Sequence, residues 1–349
     1  MKGLHLYLTP FAPDQSGASS VFYPLGGMIV ILDAGGCTGN ICGFDEPRWQ
    51  EKKSAIFSAG LRDMDAIMGR DKLLVKKIHD QIEKIDARFV AIIGTPVPAT
   101  IATDYAAIRK MLQNEIDIPV LTVDANGMDT YDSGAKKAYQ KLFETFSKPP
   151  PSRVQCPQKG RVGVIGAIPL ALSDKDSADK IKDALISEGY EKVCLYGIDE
   201  SLGDVAEASM AEKNIAVSPC GVRAAGYLKE TFGTPYEIRY PGACAFLDDM
   251  PKASETDHIL ICHQEVLGKS LKDAITKKYP AVHVDICGWF DGTDELNENY
   301  IYLKDEDDLI NLAKTGKYSL FIGDEMTRRM VKAYIPSFFP LAEFAVSGI

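Results

Sequence analysis

The sequence has 349 residues and eight cysteines, but no two of these cysteines are separated by exactly two residues. A zinc ribbon or a self-contained bacterial ferredoxin motif needs such closely spaced pairs, so both kinds of site are excluded. The pattern is also not the disulfide framework of a small secreted domain. The cysteines lie at positions 37, 42, 156, 194, 220, 244, 262 and 287.

The chain also lacks an excess of positive charge and a long hydrophobic run. Its formal net charge of -10 argues against nucleic acid as a partner, because phosphate binding needs a basic surface. Its apolar runs are far shorter than the roughly 18 residues that a membrane span requires. Residues 1–5 do not resemble the start of a signal peptide. We therefore expect a cytoplasmic protein that does not bind a membrane.

What the sequence does contain is an alternation of short β-branched runs with longer amphipathic segments, which predicts parallel sheets covered by helices. Three prolines in the segment 148–152 predict a stiff linker. We expect three α/β domains of the Rossmann-like type, at 1–150, 151–255 and 256–349, with the tail from 336 packing back on the body. The clearest predicted strands are 89–94, 119–124, 161–166, 192–196, 215–217, 258–262, 281–286 and 318–322, and the clearest predicted helices are 72–85, 102–116, 178–188, 222–231 and a solvated one at 304–313.

The most informative segment is 24–43, where a hydrophobic run meets a loop that is rich in glycine and holds Cys37 and Cys42. Glycine lets backbone N–H groups approach a bulky anionic group closely, and cysteine thiolates are the usual ligands of iron–sulfur clusters. The N–H groups of the glycines are therefore predicted to face the sulfides of a cluster. These glycines are Gly35, Gly36, Gly39 and Gly43.

Counting ligands limits what this loop can do within one chain. Plant-type ferredoxins begin with the same cysteine spacing but add a further cysteine three positions on, where this chain has Asp45. A four-iron cluster takes about four ligands, so two thiolates make half a site, which a symmetric dimer would complete. The alternative is that Cys37 and Cys42 are two ordinary buried cysteines beside a tight turn.

Several segments in their order along the chain resemble the nitrogenase component 1 family. That family includes the molybdenum–iron protein subunits, cluster-assembly scaffolds and dark protochlorophyllide reductases. The segments are the proline-leucine-glycine start and glycine-cysteine turn of 24–37, the pair 94–96 and 102–104, the strand 119–123, and in the second domain 214–217 followed by 232–236.

The sequence also departs from the family pattern. Catalytic nitrogenase subunits use three cysteines per chain to hold the interface cluster, and here residues 1–36 contain none. The third family position corresponds to Thr95, which cannot replace a thiolate. The eight-iron cluster is therefore not expected, and Cys37 with Cys42 would instead hold a four-iron cluster shared across a homodimer or a heterodimer with a related subunit.

The resemblance implies an oxidoreductase that receives low-potential electrons from an ATP-dependent iron–sulfur reductase and reduces a substrate in the cleft between its domains. The alternative is a non-catalytic scaffold or binding protein of the same fold, which the missing cysteines favour. The segment 263–270 mimics a phosphate loop only at its end and would fall in a helix, so ATP hydrolysis is assigned to the partner.

Other residues are open to two interpretations. Cys220 lies between a strand and a helix, where it is a candidate metal ligand or a packed core cysteine. Cys194 and Cys262 lie in apolar strands and are expected in the core. Four aspartates near strand ends or turns are candidate proton donors or helix caps, namely Asp33, Asp45, Asp104 and Asp124.

Overall fold

The computed structural model describes residues 5–69, 71–151, 157–252, 254, 257–296 and 299–343. Cys156, Ser152 in the predicted linker and residues 344–349 of the predicted tail lie outside these residues. The described chain forms three sheets in which all strand pairs are parallel, which confirms the predicted α/β class. The domain boundaries stay a prediction.

The first sheet has the strand order β2-β1-β3-β4. Its inner strands are buried on both faces, as β-branched runs in a covered parallel sheet require. Its strands are β1 (Met28–Ile31), β2 (Ala55–Ser58), β3 (Val90–Ile93) and β4 (Val120–Val123), and its helices are α1 (Asp14–Phe22), α2 (Gly36–Asn40), α3 (Asp63–Met68), α4 (Asp71–Ile82), α5 (Pro96–Thr100), α6 (Tyr105–Gln113) and α7 (Tyr131–Phe146).

The second sheet has the order β6-β5-β7-β8. Helix α10 (Pro219–Phe232) is capped at its C-terminus by Gly233, whose φ of 79° is the left-handed conformation that glycine favours there. The strands are β5 (Gln158–Ile165), β6 (Lys192–Leu195), β7 (Ala211–Ala216) and β8 (Tyr236–Ile238), and the helices are α8 (Ser177–Ser187), α9 (Leu202–Ala206), α10 (Pro219–Phe232) and α11 (Phe246–Asp249).

The third sheet has the order β11-β10-β9-β12-β13. Strand β13 pairs with β12, so the part of the tail that the structure describes packs back on the body as predicted. The strands are β9 (His258–Cys262), β10 (His283–Gly288), β11 (Tyr300–Tyr302), β12 (Leu320–Gly323) and β13 (Ser337–Pro340), and the helices are α12 (Glu265–Lys278), α13 (Glu306–Lys314) and α14 (Arg328–Val331).

Two predicted helices need correction. The helix predicted at 102–116 begins only at Tyr105, because Ala102 has a φ of 53° and the Asp104 carboxylate caps the helix by accepting from the Ala107 amide at 2.9 Å. The predicted solvated helix, α13, has Leu309 and Ala313 fully buried on one face. It is therefore a packed amphipathic helix.

Helix α7 connects the parts of the molecule. It packs against α1 on one side and against α10 on the other. One continuous apolar core includes residues from all three sheets and from α7, among them Ile29, Ile165 and Leu260. The three sheets therefore share one core.

Candidate metal centre and interdomain site

The loop that follows β1 is built from unusual backbone. Gly35 has a φ of 123°, a conformation that side-chain-bearing residues rarely adopt, and it turns the chain into α2. Helix α2 continues into a π-helical turn at Ile41–Asp45. Cys37 lies in the first segment and Cys42 in the second. π-Helical turns are rare and are frequent at functional sites, which makes this loop a candidate site.

A buried carboxylate braces the start of this loop. Asp33 accepts hydrogen bonds from the Thr38 amide at 2.8 Å, the Thr38 hydroxyl at 3.1 Å and the Ser58 hydroxyl at 2.6 Å. Asp33 is only 2% exposed. The candidate proton donor is thus engaged in holding the loop on β2.

The two thiols of the loop lie in different surroundings. Burial and the Asp33 carboxylate raise the pKa of the half-buried Cys37 thiol, which lies within hydrogen-bonding reach of the Thr95 side chain. Burial and the Glu46 carboxylate raise the pKa of the half-buried Cys42 thiol. Both thiols are therefore protonated at neutral pH in the metal-free chain, and metal binding would release their protons.

Glu46 also connects the Cys42 turn to the second domain. Its carboxylate binds Arg48 through Nε and Nη2, both at 2.6 Å. The same guanidinium donates to the carbonyl of Ser20 at 2.9 Å and to the carbonyl of Gly197 at 2.5 Å. This largely buried ion pair holds the turn against α1 and against the loop after β6.

The glycines of the loop face open space. A methyl group added at Gly35, Gly36, Gly39 or Gly43 would meet no atom within 4 Å. Gly35 and Gly36 precede or begin α2, so their amides belong to the helix start, which has no intrahelical acceptor. The Gly39 amide donates to the Gly35 carbonyl at 3.1 Å, so in this structure it is engaged within the turn, and its predicted role toward a sulfide stays a prediction. Gly43 lies inside the π-helical turn.

The remaining candidate aspartates have other partners. Asp45 Oδ2 accepts from the Ser16 hydroxyl at 2.6 Å and from the Asn40 amide at 2.7 Å. Asp104 caps α6, whereas Asp124 pairs with Lys137 at 3.4 Å and does not cap a helix. None of these contacts involves Cys37 or Cys42.

Cys220 lies apart from the loop, at the start of α10. Its thiol is 1% exposed and lies 3.1 Å from the Ser218 hydroxyl. Burial, together with the Asp132 carboxylate, raises the pKa of the thiol to about 12. A metal ligand must be a thiolate, so this environment favours a packed cysteine over the predicted ligand. Cys194, Cys262 and Cys287 are also buried.

The different exposure of the cysteines gives a testable prediction. In the native, metal-free protein, iodoacetamide should modify Cys37, Cys42 and the exposed Cys244 at least about tenfold faster than Cys220, because a buried neutral thiol reacts slowly. Peptide mass spectrometry at timed intervals measures this. Urea-unfolded protein is the control, in which the four rates should converge. Equal native rates would show that Cys220 is accessible.

A second group of polar side chains is buried where the domains meet. At the carboxyl ends of β9 and β13 lie His263 and Glu343, which are 0% and 2% exposed. The His263 Nδ1 accepts from the Gln264 amide at 2.8 Å, and Nε2 lies 3.1 Å from the Ala342 carbonyl. Burial lowers the pKa of His263 to about 4, so the ring is neutral and carries its proton on Nε2.

Glu343 is the most perturbed carboxyl of this buried group. Its Oε1 accepts from the Gln264 amide at 3.2 Å, and its own amide donates to Asp324 Oδ2 at 3.1 Å. Burial, Asp324 and, from the start of α7, Asp132 raise its pKa to about 8. A neutral carboxyl group is thus held between the first and third domains.

Sequence reasoning did not single out Glu343 or Asp132. The available signal was a single acidic residue in the otherwise apolar end of the chain, at 335–345. Its partner Gln264 is 79 positions away, so no local motif joins them.

The sequence matches the model of a known protein family. The model of the nitrogenase component 1 type oxidoreductase family matches residues 14–241, which is more than half of the chain and includes Cys37, Cys42 and Cys220. The chain belongs to this family. No curated protein matches the chain.

Solved structures support the fold of this nitrogenase component 1 type protein. It is similar to nitrogenase Cp1 at pH 6.5, with a TM-score of 0.70 and 9% identity over 98% of this chain and 88% of that one. It is also similar to nitrogenase Cp1 at pH 5, with a TM-score of 0.68 and 14% identity over 97% and 84% of the two chains. At these identities the likeness shows the fold alone.

In this nitrogenase component 1 type chain, the Thr95 side chain lies within hydrogen-bonding reach of Cys37. Thr95 is 1% exposed and its hydroxyl donates to the Leu32 carbonyl at 2.7 Å. A hydroxyl therefore occupies the place beside Cys37 to which the resemblance assigned a third thiolate. No helix in the described ranges is long and apolar enough to cross a membrane.

Proposed function

We propose that this protein is a nitrogenase-like redox component that holds a four-iron cluster between two subunits through Cys37 and Cys42. It would receive low-potential electrons from an ATP-dependent iron–sulfur reductase and reduce a substrate bound between its domains. The observation that carries the proposal is a pair of half-buried thiols on one surface loop with open space over its glycines.

The donor set of the loop fits half of an iron–sulfur site. Two thiols per chain supply half of the roughly four ligands that such a cluster takes, so the site requires a second subunit. The surface beside the loop has the apolar character of a contact region, since Phe44 is 76% exposed and Val97 and Ile101 in and after α5 are about 40% exposed. A cluster in this place would accept and pass on electrons.

The charge near Cys37 favours a reducing site. Asp33 lies near Cys37, whereas the charge of Glu46 near Cys42 is balanced by Arg48. Negative charge beside a cluster disfavours the addition of an electron, so it lowers the reduction potential. This supports an electron donor that is itself of low potential.

ATP hydrolysis is assigned to the partner because the sequence that mimics a phosphate loop does not form one. His263 follows β9 as a buried residue, and α12 begins at Glu265. The segment 265–270 is thus helical and cannot wrap a phosphate. A separate reductase that hydrolyses ATP remains the proposed electron source.

The alternative function is a non-catalytic carrier or scaffold that holds a metallocluster or small ligand. The hydroxyl of Thr95 beside Cys37 favours it, because one fewer thiolate makes a cluster easier to release. The two functions differ in behaviour: a redox component keeps its cluster through reduction by a reductase, whereas a carrier loses it to an apo-acceptor protein.

Anaerobic reconstitution with iron and sulfide tests the site. We expect broad absorption near 400 nm, about four iron atoms per dimer, and loss of both in Cys37→Ser and in Cys42→Ser. Cys244→Ser is the matched control, since Cys244 is exposed and lies outside the loop. Size-exclusion chromatography should show a dimer whose cluster is lost when either thiol is removed.

Two results would contradict this proposal. One is protein that stays colourless and free of iron after reconstitution. The other is normal iron binding by both serine variants, which would assign the cluster to other residues.

A further inference from the structure

A cavity of about 470 Å³ opens where the three domains meet. Helix α7 contributes Lys136 and Gln140, the first half of α10 contributes Pro219, Val222 and Arg223, and the loop after β10 contributes 292–295. Cys220 and, from the buried polar group, Asp132 lie near this wall, since both Asp132 and Lys136 act on the Cys220 thiol. The cavity is thus lined by all three domains and lies on the surface side of the buried Cys220.

One end of this cavity is cationic. Arg223 is exposed in the first turns of α10 and forms no close ion pair within the described ranges, although its charge acts on the Glu144 carboxylate of α7. Lys136 on α7 lines the same cavity and pairs loosely with Asp291 at 3.4 Å. Two positively charged groups thus face the same space.

The start of α10 adds to the positive potential of that end. Ser218 is in the N-cap position but does not cap the helix, because its hydroxyl donates to the Gly166 carbonyl at 2.8 Å. Pro219 has no amide proton and the Gly221 amide donates to the Ser218 carbonyl at 3.0 Å, so the positive potential comes from the dipole of this helix of 14 residues. Pro219 and Val222 place that turn in the cavity wall.

The opposite end of the cavity is anionic. Glu230 is seven residues after Arg223 on α10, which is two turns or about 10 Å along the helix. Asp294 and Glu295 lie beside it from the third domain, and Glu295 accepts a hydrogen bond from Tyr236. The cavity is therefore polarised along its length.

We infer that this cavity binds a small carboxylate whose far end carries an ammonium or another strong hydrogen-bond donor. Arg223 and Lys136 would bind the carboxylate, and Glu230 and Asp294 would bind the donor end. The inference rests on the proposed function in taking the cleft as the substrate site, and it adds the substrate class. A planar guanidinium binds a carboxylate through two parallel hydrogen bonds, which gives Arg223 the leading role.

Binding to the cluster-free protein tests the inference independently of the redox chemistry. The probes are 6-aminohexanoate, hexanoate and hexylamine, titrated by calorimetry. We expect 6-aminohexanoate to bind most tightly, hexanoate more weakly and hexylamine weakest. Arg223→Gln should weaken hexanoate binding by about tenfold or more, as expected for loss of a charge-assisted contact.

A second variant separates the two ends. Glu230→Gln should leave hexanoate binding unchanged and remove most of the advantage of 6-aminohexanoate. Arg329→Gln is the matched control, because Arg329 is an exposed arginine that lines a different cavity. Circular dichroism of each variant verifies that the fold is retained.

The inference is overturned if hexanoate does not bind the wild-type protein at millimolar concentration, or if Arg223→Gln and Arg329→Gln bind it equally well. Because no iron is present, this outcome leaves the cluster proposal standing. Conversely, a protein that binds the carboxylates but takes up no iron would refute the redox function alone.

Discussion

Replacing Gly134 with alanine should destabilise the folded protein by about 3 kcal/mol or more. The added methyl carbon would lie 1.8 Å from the Asp14 carbonyl oxygen and 2.5 Å from the carbonyl carbon. These are backbone atoms of α1, so no side-chain rotation relieves the overlap. The contact is reciprocal, because a methyl group at Gly17 of α1 would lie 1.9 Å from the Tyr131 carbonyl oxygen of α7.

The damage should spread because α1 is anchored on both sides. The Asp14 carboxylate accepts from the amides of Asn126 and Gly127 at 2.7 and 2.8 Å, so moving α1 breaks these bonds in a buried place. Helix α7 cannot move instead without leaving α10. The overlap at Gly134 should therefore also disturb the contact between α7 and α10, where the first and second domains meet.

Urea unfolding followed by circular dichroism measures this effect, and Gly39→Ala provides the control. Gly39 also lies in a helix, but a methyl group there meets nothing within 4 Å. Alanine should leave stability unchanged or raise it by up to about 1 kcal/mol, as its helix propensity predicts. Similar midpoints for the two variants would show that α1 and α7 do not pack as closely as described.

The regular parts of the fold were predictable because their signals are local. The helix predicted at 72–85 is found at Asp71–Ile82, and the strand at 258–262 is found at the same residues. The inner strand β1 was recognised only as a hydrophobic run, and the other strands that were not predicted are short edge strands, namely β2, β8, β11 and β13. Each of these edge strands has three or four residues and is largely unburied, so its conformation depends on a partner strand far away in sequence.

The candidate site was predictable only in part, for the same reason. The glycines and cysteines of the loop stand together in the sequence, and the resemblance pointed to Thr95. The contacts that fix the loop are tertiary. The Ser58 hydroxyl donates to Asp33 from another strand, and the Gly197 carbonyl, in the second domain, accepts from Arg48. Sequence spacing carries no information on such contacts.

Replacing Glu343 with glutamine should make the protein markedly less sensitive to alkaline pH. In the folded chain this carboxyl has a pKa of about 8, against an ordinary value of 4.5, because it is buried beside other carboxyls. The titratable groups around it are Asp324, Asp132, His263, Tyr131, Tyr300 and Cys262. Burial also raises the pKa of Tyr131 well above its ordinary value, so this phenol stays neutral throughout.

The sign follows from the direction of the shift. An acid whose pKa is raised by folding binds its proton more tightly in the folded state. Below pH 4.5 the carboxyl is protonated in both states, so it does not reduce the free energy of unfolding. The reduction grows as pH rises and is complete above pH 8. Between pH 6 and 9 the wild-type protein should lose about 2 to 3 kcal/mol of stability from this group. Glutamine cannot ionise, so the variant should escape this loss.

Urea midpoints of both proteins at pH 6 and pH 9 measure the difference, with Glu325→Gln as the control. Glu325 is exposed and pairs with Arg328 on the surface, so its replacement should leave the pH dependence of stability as it is in the wild type. His263, whose pKa falls from 6.5 to about 4 on folding, adds a small gain of stability as pH rises above 6, but both proteins carry it and it cancels in their comparison. A wild-type protein that loses no more stability at pH 9 than Glu343→Gln would show that Glu343 is already ionised near pH 6. The buried carboxyl would then have a cation or water beside it, and the junction between the first and third domains would be a hydrated site instead of a dry, proton-holding one.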